Sequence, residues 1–183
     1  MTTYVSSANL AAGLYYTTGV PTLFRHKLCT VQFLVSYANE PDHTGTTIAD
    51  ADKIEITSFT LSNIYTQGDF ISNGWSNQTN VSNYANSVSS NIQLDYDFTS
   101  SPTKPVDAVL FEETMMIPQP TNAAGRANPP KIVIGYNKGG VAQIPAEVEL
   151  YSPLLSFWDA GKKIVYRISI STKDEYITFN GSP

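Results

Sequence analysis

Short apolar segments that alternate with polar residues, separated by turn-forming residues, are the feature that most constrains this fold. Such strand signals recur about nine or ten times along the chain, whereas helical periodicity is almost absent. The best helical candidate, residues 81–90, is dominated by Asn, Ser and β-branched residues, which disfavour helix interiors. Strands at this spacing predict an all-β sandwich or barrel rather than a parallel sheet with crossover helices.

Two early segments indicate strands of the core. Residues 28–37 contain a run of apolar side chains, which is typical of a central strand covered on both faces. Residues 53–61 alternate cleanly and place apolar residues on both faces of the strand. These residues are Ile54 and Ile56 on one face, and Phe59 and Leu61 on the other.

The next part of the chain predicts a short strand and then a long loop. A break at Ser62-Asn63 precedes a strand at 64–71, in which Gly68 predicts a bulge or tight bend. Residues 72–90 are rich in Asn and Ser, which favour turns, so we expect a long polar surface loop there.

The second half of the chain predicts further strands and one hairpin. Residues 115–118 end in a proline, which suits a short edge strand, and residues 137–140 (NKGG) are a strong turn signal. The last two strands follow each other so closely that they should form a hairpin. The predicted strands of this half lie at 91–98, 115–118, 131–136, 147–151, 163–171 and 175–179.

Charge and composition exclude several classes of function. The net charge is −5, and the 11 Lys and Arg residues never cluster beyond Lys162-Lys163, so there is no basic surface for nucleic acid. No stretch approaches the roughly 18 apolar residues that a membrane span requires. Charged residues make up 15 % of the chain, and Ser, Thr and Asn take their place. This composition is typical of proteins outside the cytoplasm.

The chain offers little for catalysis or metal binding. Cys29 is the single cysteine and lies in a predicted strand, so we expect a buried structural thiol. His26 and His43 have no neighbouring ligand at i+2 or i+4, which indicates structural and turn roles. We predict no catalytic residue, no cofactor-binding residue, no metal ligand and no enzymatic activity. A hydrolase domain would need two carboxylates brought together from distant segments.

An acidic cluster near residue 50 is the best candidate for calcium. It lacks the glycine of an EF-hand loop and has Lys53 in its middle, so a solvated loop is the preferred interpretation. The acidic residues are Glu40, Asp42, Asp50 and Asp52.

Three aromatic residues could form a platform for sugars. Trp75 and Tyr84 are the candidate ligand-binding residues, with Tyr65 as a third ring. An isolated tryptophan more often fills one end of a sandwich core, and this is the preferred interpretation of Trp75.

Four ordered motifs resemble the fimbrillin family of pilus subunits. The first includes His26, the second ends near Asn63, the third ends at Pro118-Gln119 and the fourth begins at Trp158. The segments are LFRHKL (23–28) with VQF (31–33), KIEITSFTLSNI (53–64) with QGDF (67–70), MMIPQ (115–119) before KIVIGY (131–136), and WDAGKKIVYRI (158–168) before ITF (177–179).

The resemblance implies a transthyretin-like β-sandwich with long polar loops, similar to the C-terminal domain of a fimbrillin. Residues 1–183 would form one domain, with 1–20 as a leading segment or first strand. Family members are exported as lipoproteins, so we expect a location at the cell surface or outer membrane and a precursor signal that this chain lacks. Expected partners are other fimbrial subunits, joined by strand donation or edge pairing, and host or bacterial surface ligands. Residues 4–16 and 175–179 are the candidate donor or acceptor strands.

Two hypotheses about function follow. The first is a non-catalytic structural or adhesive surface module, either a pilin-like subunit or a tip or accessory component of fimbriae. The second is a carbohydrate-binding module of an outer-membrane uptake system, which would use Trp75 or Tyr84.

Overall fold

The alternating segments form strands in the structure, a computed structural model that describes residues 27–39, 47–71, 74–86, 91–122, 126–150, 155–173 and 177–182. A 3-10 turn at Asp50–Asp52 interrupts the strand pattern. In chain order the strands are β1 (Cys29–Tyr37), β2 (Ile54–Ile71), β3 (Gly74–Asn86), β4 (Ile92–Gln93), β5 (Tyr96–Asp97), β6 (Lys104–Pro105), β7 (Ala108–Met116), β8 (Lys131–Lys138), β9 (Val141–Ala142), β10 (Ala146–Glu149), β11 (Lys163–Ile170) and β12 (Ile177–Ser182).

The strands form two main sheets. A four-stranded sheet has the order β12-β11-β1-β7, and a six-stranded sheet has the order β10-β8-β2-β3, with β4 beside β2 and β9 beside β8. A small separate sheet pairs β5 with β6. Strands β1 and β11 run parallel, whereas β1 and β7 and the pairs of the six-stranded sheet are antiparallel.

The core lies between the two sheets and is rich in aromatic rings. Phe33 of β1 contacts Phe59 of the other sheet, with ring centroids 5.2 Å apart, and stacks on Tyr166 at 4.9 Å. Phe111 of β7 joins both phenylalanines at 6.0 and 5.7 Å. Burying each ring stabilises the fold by about 1.5–3 kcal/mol. The predicted all-β sandwich is confirmed, and the transthyretin-like topology stays a prediction.

Two register shifts explain why strand β2 has apolar residues on both predicted faces. One shift lies between Ile56 and Ser58 and the other between Leu61 and Ile64. Each shift turns the following residues over, because side chains alternate with a period of two. Ile54, Ile56, Phe59, Leu61 and Ile64 therefore all face the core.

The expected break at Ser62-Asn63 is wrong, because β2 continues through it. Asn63 adopts a positive φ of 63°, and this local conformation accommodates the second register shift without ending the strand. Asn tolerates the left-handed region better than most residues. The bulge expected at Gly68 is confirmed by a register shift between Gln67 and Asp69.

The loop expected over residues 72–90 is also wrong, because residues 74–86 form β3. This strand pairs with β2 from Ile71 back to Phe59. Beyond Ser62, β2 has lost its pairing with β8, and β3 is its only strand partner within the described residues. Exposed polar side chains suit this position, so the strand lacks the apolar alternation that would have predicted it. We call residues 65–71 with 74–79 the β2–β3 arm.

Several later predictions are confirmed with changed bounds. The final hairpin forms as the antiparallel pair β11 and β12. The turn at residues 137–140 joins β8 to β9, with positive φ at Gly139 and Gly140. The predicted strand at 91–98 forms two short strands, β4 and β5. Strand β7 lies at the end of its sheet and is longer than the short edge strand expected at 115–118. Pro118 lies just after β7, which ends at Met116. A proline there does not interrupt the ladder, because it has no N–H to donate.

Candidate functional site

Residues from three of the four motifs meet in one buried network. The side-chain Oε1 of Gln119 accepts a hydrogen bond from the backbone N–H of Tyr65 at 2.9 Å, and its Nε2 donates to the carbonyl of Ile117 at 3.1 Å. The backbone carbonyl of Gln119 accepts from the N–H of Trp158 at 2.9 Å. Gln119 is fully buried and so ties β2 to the segment around Trp158.

Arg126 closes this network on its outer side. Its Nη1 donates to Oε1 of Gln119 at 2.9 Å, and its Nη2 donates to the carbonyl of Asn63 at the β2 bulge. The guanidinium carbon lies 3.9 Å from the ring centroid of Tyr65, a cation–π contact. Burial lowers the pKa of Arg126, and its Nε has no hydrogen-bond partner among the residues that the structure describes.

No sequence pattern marks Arg126 as a residue of this network. It lies in a proline-rich segment where a charged residue is usually solvated, and here it is 6 % exposed. Its hydrogen-bond acceptors Gln119 and Asn63, by contrast, belong to the motifs described above. Asn63 additionally donates from Nδ2 to the carbonyl of Pro129 at 3.0 Å, which holds the far side of the same segment.

Trp75 lies half-buried at the outer end of the β2–β3 arm, outside the sandwich core. Its Nε1 donates to the backbone carbonyl of Lys27 at 2.7 Å, and its ring meets Phe70 edge-on at 5.5 Å. A depression of about 460 Å³ lies beside the indole. The expectation that Trp75 fills an end of the core is wrong. Trp158, with its Nε1 bonded to the hydroxyl of Tyr166 at 2.7 Å, is the buried tryptophan.

Tyr84 lies near the other end of β3 and packs on the core. It pairs with Leu61 in the β-ladder, and its ring meets Phe111 edge-on at 6.2 Å. Tyr84 lies nine positions along the strand from Trp75, a distance on the order of 30 Å. The structure does not bring the two rings together, and Tyr65 contacts Arg126 instead. Ligand binding at Trp75 or Tyr84 stays a prediction.

A groove lies where the ends of the two sheets approach each other on one side of the sandwich. Strands β10 and β12 are the terminal strands of the two sheets there, and no described strand pairs with the outer edge of either. The groove has a volume of about 380 Å³. We call it the β10–β12 groove, and it is lined by Tyr136, Gln143, Ile144, Ala146, Glu147, Val148 and Ile177.

Both apolar and polar residues line the groove. Tyr136, Val148 and Ile177 pack against the core from the groove side. Ile144 is 89 % exposed, the highest value for a large apolar side chain among the described residues. Of the two termini proposed as donor or acceptor strands, residues 4–16 lie outside the described residues, and residues 177–179 belong to β12.

Cys29 is buried, which confirms the predicted buried thiol. Its Sγ donates to the carbonyl of Met116 at 3.3 Å, and burial raises its pKa to about 12. A thiol is nucleophilic as the thiolate, which is scarce at neutral pH for such a pKa.

The other candidate chemical groups show no clustering in the part of the chain that the structure describes. Asp50 pairs with Lys53 at 2.6 Å, and its side chain is 93 % exposed, as the solvated-loop interpretation predicts. No group of three or more potential metal ligands occurs among the described residues. His26, His43, Glu40 and Asp42 lie outside them. The described residues also contain no helix long and apolar enough to cross a membrane.

No protein family profile and no curated protein matches the chain. Solved structures that match the chain include a "putative cell adhesion protein" from Bacteroides uniformis, with 17 % identity, a TM-score of 0.40 and coverage of 87 % of this chain and 51 % of that one. A fimbrial protein from Bacteroides vulgatus matches with 16 % identity, a TM-score of 0.41 and coverage of 86 % and 54 %. A "putative cell adhesion protein" from Bacteroides ovatus has 11 % identity, a TM-score of 0.33 and coverage of 87 % and 44 %. This chain spans about half the length of those chains.

Proposed function

We propose that this chain is a non-catalytic structural or adhesive module of a cell-surface filament, either a pilin-like subunit or a tip or accessory component. The observation that carries the proposal is the network around Gln119. It joins Asn63, Gln119 and Trp158, which belong to three motifs that resemble fimbrillins, through hydrogen bonds.

The network matters because it connects segments that are distant in sequence. Gln119 and Asn63 are 56 positions apart, and Gln119 and Trp158 are 39 positions apart. Motif residues that serve unrelated local roles would have no reason to meet. Their contact supports the interpretation of the four motifs as one structural unit, and with it the transthyretin-like, C-terminal-type domain over residues 1–183.

The proposed partner is an extended segment of a second subunit, which enters the β10–β12 groove. Terminal strands offer backbone N–H and C=O groups for pairing, and the exposed Ile144 beside Val148 and Ile177 offers an apolar surface for alternate side chains. Such an occupant would bury the side chain of Ile144, which is otherwise 89 % exposed.

The groove is tested by placing a charge at its most exposed apolar residue. Ile144→Asp should leave folding intact, because the side chain is 89 % exposed. It should block incorporation into filaments, because docking of the second subunit would bury a carboxylate in the β10–β12 groove. Val106→Asp, at a side chain 43 % exposed, is the matched control and should be incorporated normally. Equal incorporation of both variants into filaments of the producing cells would contradict the groove assignment.

The proposed location is outside the cytoplasm, at the cell surface or outer membrane, as the product of a longer lipoprotein precursor. The acidic surface with few charges and many Ser, Thr and Asn residues supports this location. Protease treatment of intact cells should digest the protein, while a cytoplasmic marker should survive.

A carbohydrate-binding module of an outer-membrane uptake system is the second candidate. The depression beside Trp75 is the observation that favours it. An uptake module would bind sugar and be absent from purified filaments, whereas a filament module would be present in them whether or not it binds sugar.

A further inference from the structure

Trp75 is held in a fixed orientation at the surface of the β2–β3 arm. The hydrogen bond from its Nε1 to Lys27 fixes one edge of the indole, and Phe70 packs against it. Gly68 lies beneath the ring, since a Cβ built there would be 3.4 Å from Cε3 of Trp75 and 3.2 Å from the carbonyl of Ser76. A larger residue at Gly68 would crowd the indole out of this position. The ring is therefore preorganised, which lowers the entropic cost of binding a ligand.

The side chains around this indole carry hydroxyl, amide and carboxylate groups. The depression of about 460 Å³ falls in the size range of small-molecule sites. Asn77 donates from Nδ2 to Oδ2 of Asp69 at 2.9 Å, and this bond orients both side chains. Asp69 is the one charged group among the described lining residues, which are Thr66, Gln67, Gly68, Asp69, Trp75, Asn77, Thr79 and Ile117.

We propose that this depression binds an uncharged saccharide ring. The C–H face of a sugar would stack on the indole of Trp75, and its hydroxyls would exchange hydrogen bonds with polar groups that line the depression. A flat aromatic face beside short neutral hydrogen-bonding groups is complementary to a ring with one apolar face and a polar edge. The carboxylate of Asp69 disfavours acidic sugars and phosphates.

The site and the assembly groove can be occupied at the same time. Strand β3, which carries Trp75, and strand β10, which lines the groove, are the two end strands of the same six-stranded sheet. A filament module could therefore keep the saccharide site open after a neighbouring subunit has docked. The inference gives the adhesive role of the proposed function a ligand class, and its test does not depend on filament membership.

The two tryptophans provide an internal control for a direct test. In the ¹⁵N-labelled chain, the indole N–H signal of Trp75 should shift saturably on titration with methyl glycosides of glucose, galactose, mannose, fucose or N-acetylglucosamine. The signal of Trp158, whose side chain is fully buried, should stay in place. The methyl glycoside of sialic acid should produce no shift. Failure of every neutral glycoside to shift the Trp75 signal, or a selective response to sialic acid, would overturn the proposal.

Variants then separate binding at Trp75 from a general effect on folding. Trp75→Ala should weaken the affinity for the active glycoside by about tenfold or more, as judged by backbone amide shifts. Trp75→Phe keeps an aromatic face and should weaken binding less. Val81→Ala, on the same strand and at an exposed side chain outside the depression, should bind as the original chain does. Unchanged affinity in Trp75→Ala, with folding verified by the Trp158 signal, would equally overturn the assignment.

Discussion

Arg126 donates a hydrogen bond from Nη1 to Oε1 of Gln119 at 2.9 Å, in surroundings where both side chains are buried. The same oxygen accepts the backbone N–H of Tyr65, so one amide group connects β2 and the segment that carries Arg126. Arg126 in turn bonds the carbonyl of Asn63 at the bulge. A buried cation with neutral partners is stable only while those partners are in place.

Gln119→Leu should destabilise the domain strongly. The substitution keeps a similar volume but leaves the N–H of Tyr65 and the guanidinium of Arg126 without their shared acceptor. We expect the free energy of unfolding to fall by about 2–4 kcal/mol, which urea denaturation followed by tryptophan fluorescence would measure.

Gln67→Leu is the matched control for that substitution. Gln67 is an exposed glutamine of strand β2, and its replacement should change the free energy of unfolding by less than about 0.5 kcal/mol. Similar losses for the two variants would show that the network around Gln119 contributes nothing special to stability.

The stability of the domain should fall as the pH rises above 9. Burial raises the pKa of Cys29 from 9.0 to about 12, so in this window the unfolded chain loses a proton that the folded chain keeps. The free energy of unfolding then decreases with pH, by at most about 1.4 kcal/mol per unit for this group. Burial raises the pKa of Tyr37 and Tyr166 as well, with the same sign of effect.

Cys29→Ala isolates the thiol contribution. The variant should be less stable at pH 8 because it leaves a cavity, yet its stability should fall less steeply between pH 9 and 12. The comparison requires only the slope of the free energy of unfolding against pH. Parallel slopes for the two chains would contradict the buried, protonated thiol.

The turn between β8 and β9 should tolerate a side chain at Gly140 better than at Gly139. Both have positive φ, of 56° at Gly139 and 78° at Gly140, so alanine at either costs about 1–2 kcal/mol of backbone strain. A Cβ at Gly139 would also lie 2.9 Å from the carbonyl oxygen of Ala51, whereas at Gly140 it would meet open space. Thermal melts should rank Gly139→Ala below Gly140→Ala, and equal melting temperatures would contradict this contact.

The sequence predicted the core strands well because burial imposes a visible period on them. Residues 131–136 and 163–171 alternate against the core, residues 28–37 combine partial alternation with an apolar run, and strands formed in all three segments. Strand β3 was missed for the opposite reason. Much of β3 pairs with the part of β2 that extends beyond the core. This pairing uses backbone hydrogen bonds, which do not require apolar side chains at alternate positions.

The site was predictable only in part. Trp75 stood out as an aromatic residue in a polar segment. Its separation from Tyr84 was not predictable, because both residues lie on strand β3 and the sequence predicted a loop there. The partnership of Arg126 with Gln119 and Asn63 arises from tertiary contacts between distant segments, and no local pattern encodes it.

The most direct test of the central claim is immunogold electron microscopy of intact producing cells, with antibodies against the folded domain. A filament module predicts gold particles along surface filaments or at their tips, together with peptides of this chain in the purified filaments. Unlabelled filaments, with gold that appears only after the cells are permeabilised, would contradict the proposed function.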